Sequence, residues 1–149
     1  MHVPGPWPLV TAALVLAADQ ATKAWATEHL VLGQSRPLLG SFLRLTRAHN
    51  LGGAFGLFPE HKSAFIAVSL GVSAALLGVL VSGRWGGRAV RFGGALVLAG
   101  AVGNVIDRLR WGYVLDFLEL PHWPVFNVAD TAIVLGAAVL AVGILWRRR

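Results

Sequence analysis

The sequence predicts an all-α membrane bundle of four transmembrane helices with a small β-sheet on its outer face. Three observations predict it. Hydrophobic residues make up 56% of the chain and charged residues only 13%, against roughly 25% charged in a soluble domain, so the excess apolar surface must face lipid. Mainly apolar stretches recur four times at about the 20-residue length that crosses a bilayer. The polar residues that interrupt them collect at helix ends that share one side of an alternating bundle. At 149 residues the chain is a single domain, 1–149.

The first predicted span covers about 7–26. Its apolar run from Leu9 to Ala18 is preceded by MHVPGPWP, which has no Lys or Arg, whereas a secretory leader begins with a positive segment. The run therefore reads as a retained helix. Trp7 and Trp25 stand about 27 Å apart along it, a spacing suited to interfacial anchors. A long connection over 27–61 follows, where Leu43 and Leu45 alternate with Arg44 and Thr46 as in a strand. The second span, about 63–83, has no charge between Lys62 and Arg84. The third, about 92–109, is uncharged from Phe92 until Asp107. Tyr113 to Leu118 is dense in Val, Leu and Phe, as in a second short strand. The fourth span, about 126–146, is uncharged between Asp130 and Trp146. There is no internal repeat and no low-complexity tract.

Four helices in series alternate direction. Asp19 and Lys23 lie toward the end of the first, Asn104, Asp107 and Arg108 at the end of the third, and Asn127 and Asp130 at the start of the fourth. These ends fall on one face. The other face receives Arg84, Arg88, Arg91 and the tail Arg147, Arg148 and Arg149. Short Arg-rich loops stay in the cytoplasm, so both termini are expected there and the polar cluster faces outward. Arg36, Arg44, Arg47 and Lys62 in the outer connection moderate the bias. The net charge of +6 comes from short clusters between apolar runs, which suits anionic headgroups and argues against nucleic acid. Cysteine is absent, which excludes disulfides, thiolate nucleophiles and cysteine metal sites.

Acids at membrane depth are costly and point to function. Asp19 and Lys23, spaced i, i+4, share a helix face and can pair; a purely structural ion pair is an equally good reading. Ala95, Ala99 and Gly103, four apart, suit close helix packing, and Gly100 and Gly103 let a backbone pass near the site. His29, His49, His61 and His122 show no helical metal-site spacing and read as interfacial or solvated. Ser69 and Ser73 lie inside the second span, where they can bond its backbone.

Four acids remain near the outer face. Asp19 has Lys23 one turn away and Asp107 has Arg108 beside it, so both should stay ionised. Asp116 and Asp130 have no adjacent cation. The chain between them contains Pro121 and Pro124 and is long enough to fold back and bring the carboxyls together. Two carboxylates in contact cannot both ionise. One then takes a proton from water while the other donates to a peptide carbonyl. Alternatively each acid caps a turn or helix on its own, and a helix N-terminus would favour Asp130 in any case.

Five segments now carry a resemblance: Asp19-Gln-Ala-Thr-Lys23, Asn50-Leu-Gly-Gly-Ala-Phe-Gly56, Gly100-Ala-Val-Gly-Asn-Val-Ile-Asp-Arg108, Gly112-Tyr-Val-Leu-Asp-Phe117 and Phe126-Asn-Val-Ala-Asp130. Together, in this order, the chain resembles the lipoprotein signal peptidase family, signal peptidase II, the aspartic peptidases of the bacterial inner membrane. The resemblance implies a four-helix membrane domain with an outer, periplasmic sheet and short helix. It implies cleavage of prolipoproteins before a diacylglyceryl-modified cysteine, with Asp116 and Asp130 catalytic. Asp19, Lys23, Asn50, Gly100, Asn104, Asp107, Arg108, Val114, Asn127 and Ala129 match positions that line or support the site. It further implies inhibition by globomycin-type cyclic peptides. Gly53 stands where alanine is expected. Water is the nucleophile, so no metal or organic cofactor is expected, and nothing demands more than a monomer in the lipid.

Three other readings stay open on the residues alone. A small proton-coupled transporter would also hold membrane acids, but with repeat symmetry and polar residues near the midplane. A non-catalytic assembly factor would use the acids as structural pairs. A Ser–Lys peptidase would need a serine beside Lys23.

Overall fold

The computed structural model describes residues 5–51, 62–82 and 87–146. Four helices, α1 (Trp7–His29), α2 (Lys62–Ser82), α3 (Arg88–Trp111) and α4 (Val128–Trp146), are joined by a three-stranded antiparallel sheet in the order β1 (Ser35–Leu39), β2 (Leu43–Asn50), β3 (Val114–Glu119). By length and composition α3 and α4 are candidate membrane spans, and α2 contains a shorter apolar helix over Ile66–Ser82. α1 has Asp19 and Lys23 in its interior, both fully buried.

The strands expected around Leu43 and Tyr113 are present as β2 and β3. β1 was not anticipated, since Pro37 removes a donor and confines the segment to a sheet edge; the sheet places it there, with an irregular register between Pro37 and Leu39. Among the described residues there is no further helix; residues 52–61 of the connection before α2, with Gly53 and His61, lie outside them, as do Arg84 and Arg147 to Arg149.

α3 is the hub. Ala95 and Ala99 pack with Ala12 of α1 and Leu80 of α2. The opposite side of α3 meets α4 through paired glycines: a Cβ added at Gly93 would stand 2.6 Å from the Gly136 carbonyl oxygen, and one at Gly136 2.7 Å from the Gly93 oxygen. α3 ends at Gly112, whose φ of 84° places it in the left-handed region that glycine tolerates. The chain turns there directly into β3. β3 is buried on both faces, with Leu115 and Phe117 packed on Ala26 of α1 and on Leu30 just past its end.

Candidate active site

Three short sequence signals bring the site together. Gly112 ends α3 so that β3 runs back across the helix ends. In β3, Ala48 pairs with Asp116 and Asn50 with Val114. Directly paired residues share a face of the sheet, so Asn50, Val114 and Asp116 point the same way. Asn127 opens α4 as its cap.

The Asn127 side chain is fully buried, and the residue reaches both carboxyls through two different N–H groups, its side-chain amide and its backbone. Its Nδ2 donates to Asp116 Oδ1 at 2.7 Å. Its Oδ1 accepts the Asp130 backbone N–H at 2.8 Å, while its own N–H donates to Asp130 Oδ2 at 3.3 Å. This is a reciprocal cap, which satisfies helix N–H groups that otherwise lack partners. Asn50 Nδ2 donates to Asp116 Oδ2 at 3.0 Å and Asn104 Nδ2 to Asp130 Oδ1 at 2.8 Å. Asp116 is 2% exposed. Burial, and next the charge of Asp130, push its carboxyl up to about 7, against the opposing hydrogen bonds from Asn50 and Asn127.

Beneath lies a second layer. Lys23 donates to Asn104 Oδ1 at 3.2 Å and pairs with Asp19 at 2.8 Å and Asp107 at 2.7 Å, all three ionic side chains being fully buried. The i, i+4 pair read from the sequence is therefore half of a three-way cluster. Asp19 Oδ1 also accepts the Ala129 N–H at 2.8 Å, so an acid of α1 helps to cap α4. Asp107 Oδ2 accepts the Leu115 N–H at 3.1 Å, which fixes β3 beside Asp116. Gly100 and Gly103 leave the room this needs: a Cβ on Gly100 would run into the Ala129 carbonyl, and one on Gly103 would stand 2.6 Å from Asp19 Oδ2.

Above the carboxyls is a groove of about 430 Å³ between α2, α3, α4 and the 123–126 segment. Its wall is mainly apolar and includes Val114, with Asp130, Asn50, Asn104, Arg108 and Ser69 as polar points. Asp130 faces the groove; Asp116 sits behind it, one Asn127 amide away. Arg108 is 9% exposed and holds its charge near Asp130, Asp116 and Asp107.

The twelve site residues named from the sequence are thus gathered at one end of the bundle. Sequence reasoning missed Gln20, whose Nε2 reaches Asp107 Oδ1 at 3.0 Å and Asp19 Oδ2 at 3.2 Å. Its only signal was its place beside Asp19. The Leu115 N–H carries no side-chain signal at all. Ser73, expected to bond its helix backbone through its side chain, has a buried Oγ with no hydrogen-bond partner among the described residues. His49, read as interfacial or solvated, is partly buried, and its ring stacks on Tyr113 with centroids 3.8 Å apart. All three donor positions of Lys23 are occupied by Asp19, Asp107 and Asn104, which leaves it nothing with which to activate a serine. Among the described residues no three His, Cys, Asp or Glu side chains group as metal ligands.

Residues 11–146 match the family described as signal peptidase (SPase) II. Lipoprotein signal peptidase of Moorella thermoacetica is 45% identical over 89% of this chain and 88% of its own, and that of Desulforapulum autotrophicum 42% over 91% and 89%. Two solved bacterial membrane enzymes, determined by the in meso method at 2.3 and 1.9 Å, share the fold with TM-scores of 0.89 and 0.85 at 26% identity. They are matched over 97% and 95% of this chain and 92% and 94% of theirs. With sequence relatives and solved folds alike matched along nearly their whole length, this chain belongs to the signal peptidase II family.

Proposed function

We propose that the chain is an aspartic endopeptidase that removes signal peptides from prolipoproteins, cutting before the diacylglyceryl-modified cysteine. The observation that carries this reading is that one buried residue, Asn127, ties two carboxyls together beside an apolar groove, its side-chain amide donating to Asp116 and its backbone N–H to Asp130. The relatives' shared name, lipoprotein signal peptidase, supplies the substrate class.

The chemistry needs one proton between Asp116 and Asp130. The ionised carboxyl takes a proton from water as its oxygen attacks the peptide carbonyl carbon. The protonated carboxyl donates to the carbonyl oxygen, giving a tetrahedral diol. Collapse re-forms the carbonyl and breaks the C–N bond: the proton first taken from water passes to the leaving amine, and a diol hydroxyl returns its proton to the carboxyl that had donated one. Asn50, Asn104 and Asn127 hold the carboxyl oxygens, and Lys23 holds Asn104, which in turn accepts from Asn127. Arg108 offsets the charge of the carboxyls.

In this reading 1–149 is one integral membrane peptidase domain and all four helices span the bacterial cytoplasmic (inner) membrane. Both termini are cytoplasmic, and the site lies near the periplasmic face. A diacylglyceryl anchor in the outer leaflet holds the scissile bond at that depth, and the apolar signal segment lies along the groove. Globomycin-type cyclic peptides compete for the same groove, and the protein works as a monomer in lipid.

The test is cleavage of a lipidated prolipoprotein in liposomes by wild type, Asp116→Asn and Asp130→Asn, with a thermal melt of each. Each substitution is expected to lower turnover at least about 100-fold, within the range of general acid–base catalysis, in protein that still melts cooperatively. Full activity in either variant refutes the dyad. Ser69→Ala, in the groove wall, is expected to keep its activity.

A further inference from the structure

The sheet face opposite Asp116 carries a feature that the chemistry above does not use. His49 pairs with Leu115 in the β2–β3 ladder, so its ring points away from Asn50 and Asp116. It stacks on Tyr113, the diagonal neighbour, at 3.8 Å between centroids and 16° between planes. Tyr113 in turn stacks on Trp111 at 6.2 Å, and the Arg110 guanidinium lies over Trp111 at 5.5 Å. The column runs from the last turn of α3 to the end of β2. His49 Nε2 is buried and has no hydrogen-bond partner among the described residues, so that nitrogen contributes no anchoring bond and the ring is gripped by its face.

Asn50 is the last residue of β2. Its backbone pairs with Val114, yet its side chain must reach diagonally to Asp116. The ladder stops there, and a strand end frays unless something holds it. We propose that His49 is a positioning residue for the reaction: by stacking on Tyr113 it holds the end of β2 so that Asn50 keeps its hydrogen bond to Asp116. This rests on the dyad reading given above. Asp116 is faced by Asp130, Asn50, Asn127, the more distant Lys23 and the Arg108 guanidinium, and of these only Asn50 depends on the end of β2.

The experiment compares His49→Ala, His49→Phe, Asn50→Ala and the double variant His49→Ala/Asn50→Ala, each as full chain in liposomes with a lipidated prolipoprotein. His49→Ala should lower kcat roughly 10-fold, as loss of reactant alignment does, with KM within about 2-fold. Loss of the Asn50 donor raises the affinity of Asp116 for its proton. The limb of the pH profile set by Asp116 should therefore move to higher pH, in the same direction as in Asn50→Ala. The double variant should be no worse than Asn50→Ala, because both changes remove one contact. His49→Phe keeps a stacking ring and should restore kcat and the pH profile. If His49→Ala fails to accumulate as folded protein, Tyr113→Leu removes the stack from the other side with the same expectation. A variant without the stack but with wild-type kcat and pH profile overturns the proposal, whatever its melting temperature. So does full additivity with Asn50→Ala, or a His49→Phe as impaired as His49→Ala. An active Asp116→Asn would instead overturn the underlying dyad.

Discussion

The Lys23 ammonium stands 2.7 Å from Asp107 and joins α1 to α3 inside the bundle, with neither side chain exposed. Removing one partner of such a pair leaves a buried charge without compensation, which costs about 3–5 kcal/mol. Lys23→Met should therefore lower the melting midpoint in detergent sharply. Lys23→Met combined with Asp107→Asn should lose less than the sum of the two single changes. A Lys23→Met protein that melts like wild type would contradict the cluster.

Asn127 caps α4 and also reaches Asp116, and these two roles can be separated. Asn127→Ser keeps a capping oxygen but is too short to bridge to Asp116. Its melting midpoint should fall little, by less than the roughly 0.5–2 kcal/mol of a lost cap, while kcat drops at least about 10-fold. A kcat that falls only in proportion to unfolded protein would count against the bridge.

Asp116 gives stability a pH dependence of known sign. Its folded value of about 7 lies above the ordinary 3.8, so the folded protein holds the proton more tightly than the unfolded chain. The resulting stability is fully present below about pH 4 and is lost as the pH rises through about 7. Melting midpoints of wild type should decline across that window relative to Asp116→Asn, which has no such proton to lose. Parallel curves for the two proteins would show that the carboxyl is not perturbed.

The glycines of the helices divide cleanly. Gly93→Ala puts a methyl group 2.6 Å from a backbone oxygen and 2.8 Å from a backbone nitrogen of α4, and neither atom can swing aside. A loss of about 1–3 kcal/mol is expected. Gly71→Ala and Gly78→Ala in α2 meet nothing within 4 Å and should be neutral or stabilise by up to about 1 kcal/mol. Thermal melts of the three variants check the contrast; an unaffected Gly93→Ala would mean that α3 and α4 are not in close contact there.

Much of this site was legible because alternation of four apolar runs alone sends Asp19, Lys23, Asn104, Asp107, Arg108, Asn127 and Asp130 to one end. The strand bearing Asp116 was legible from its dense Val, Leu and Phe. What escaped was contact chemistry. Lys23 has a visible partner at i−4, but its second, Asp107, lies on another helix, and no local pattern announces it. Gln20 gives no sign in the sequence of the two carboxylates it reaches. β1, broken by Pro37, lacks a strand's alternation and forms only because β2 offers it an edge. His49 reads as one polar residue among several until the register sets it diagonally across from Tyr113.

The buried Lys23 cluster bears on how the bundle is assembled. On its own, α1 carries a matched Asp19–Lys23 pair, so the charges in its interior offset each other. α3 then arrives with Asp107, which finds its second cation only once the two helices are side by side. Docking of the first helix against the third should thus be an early requirement of assembly, because the Asp107 carboxyl meets the Lys23 ammonium only then.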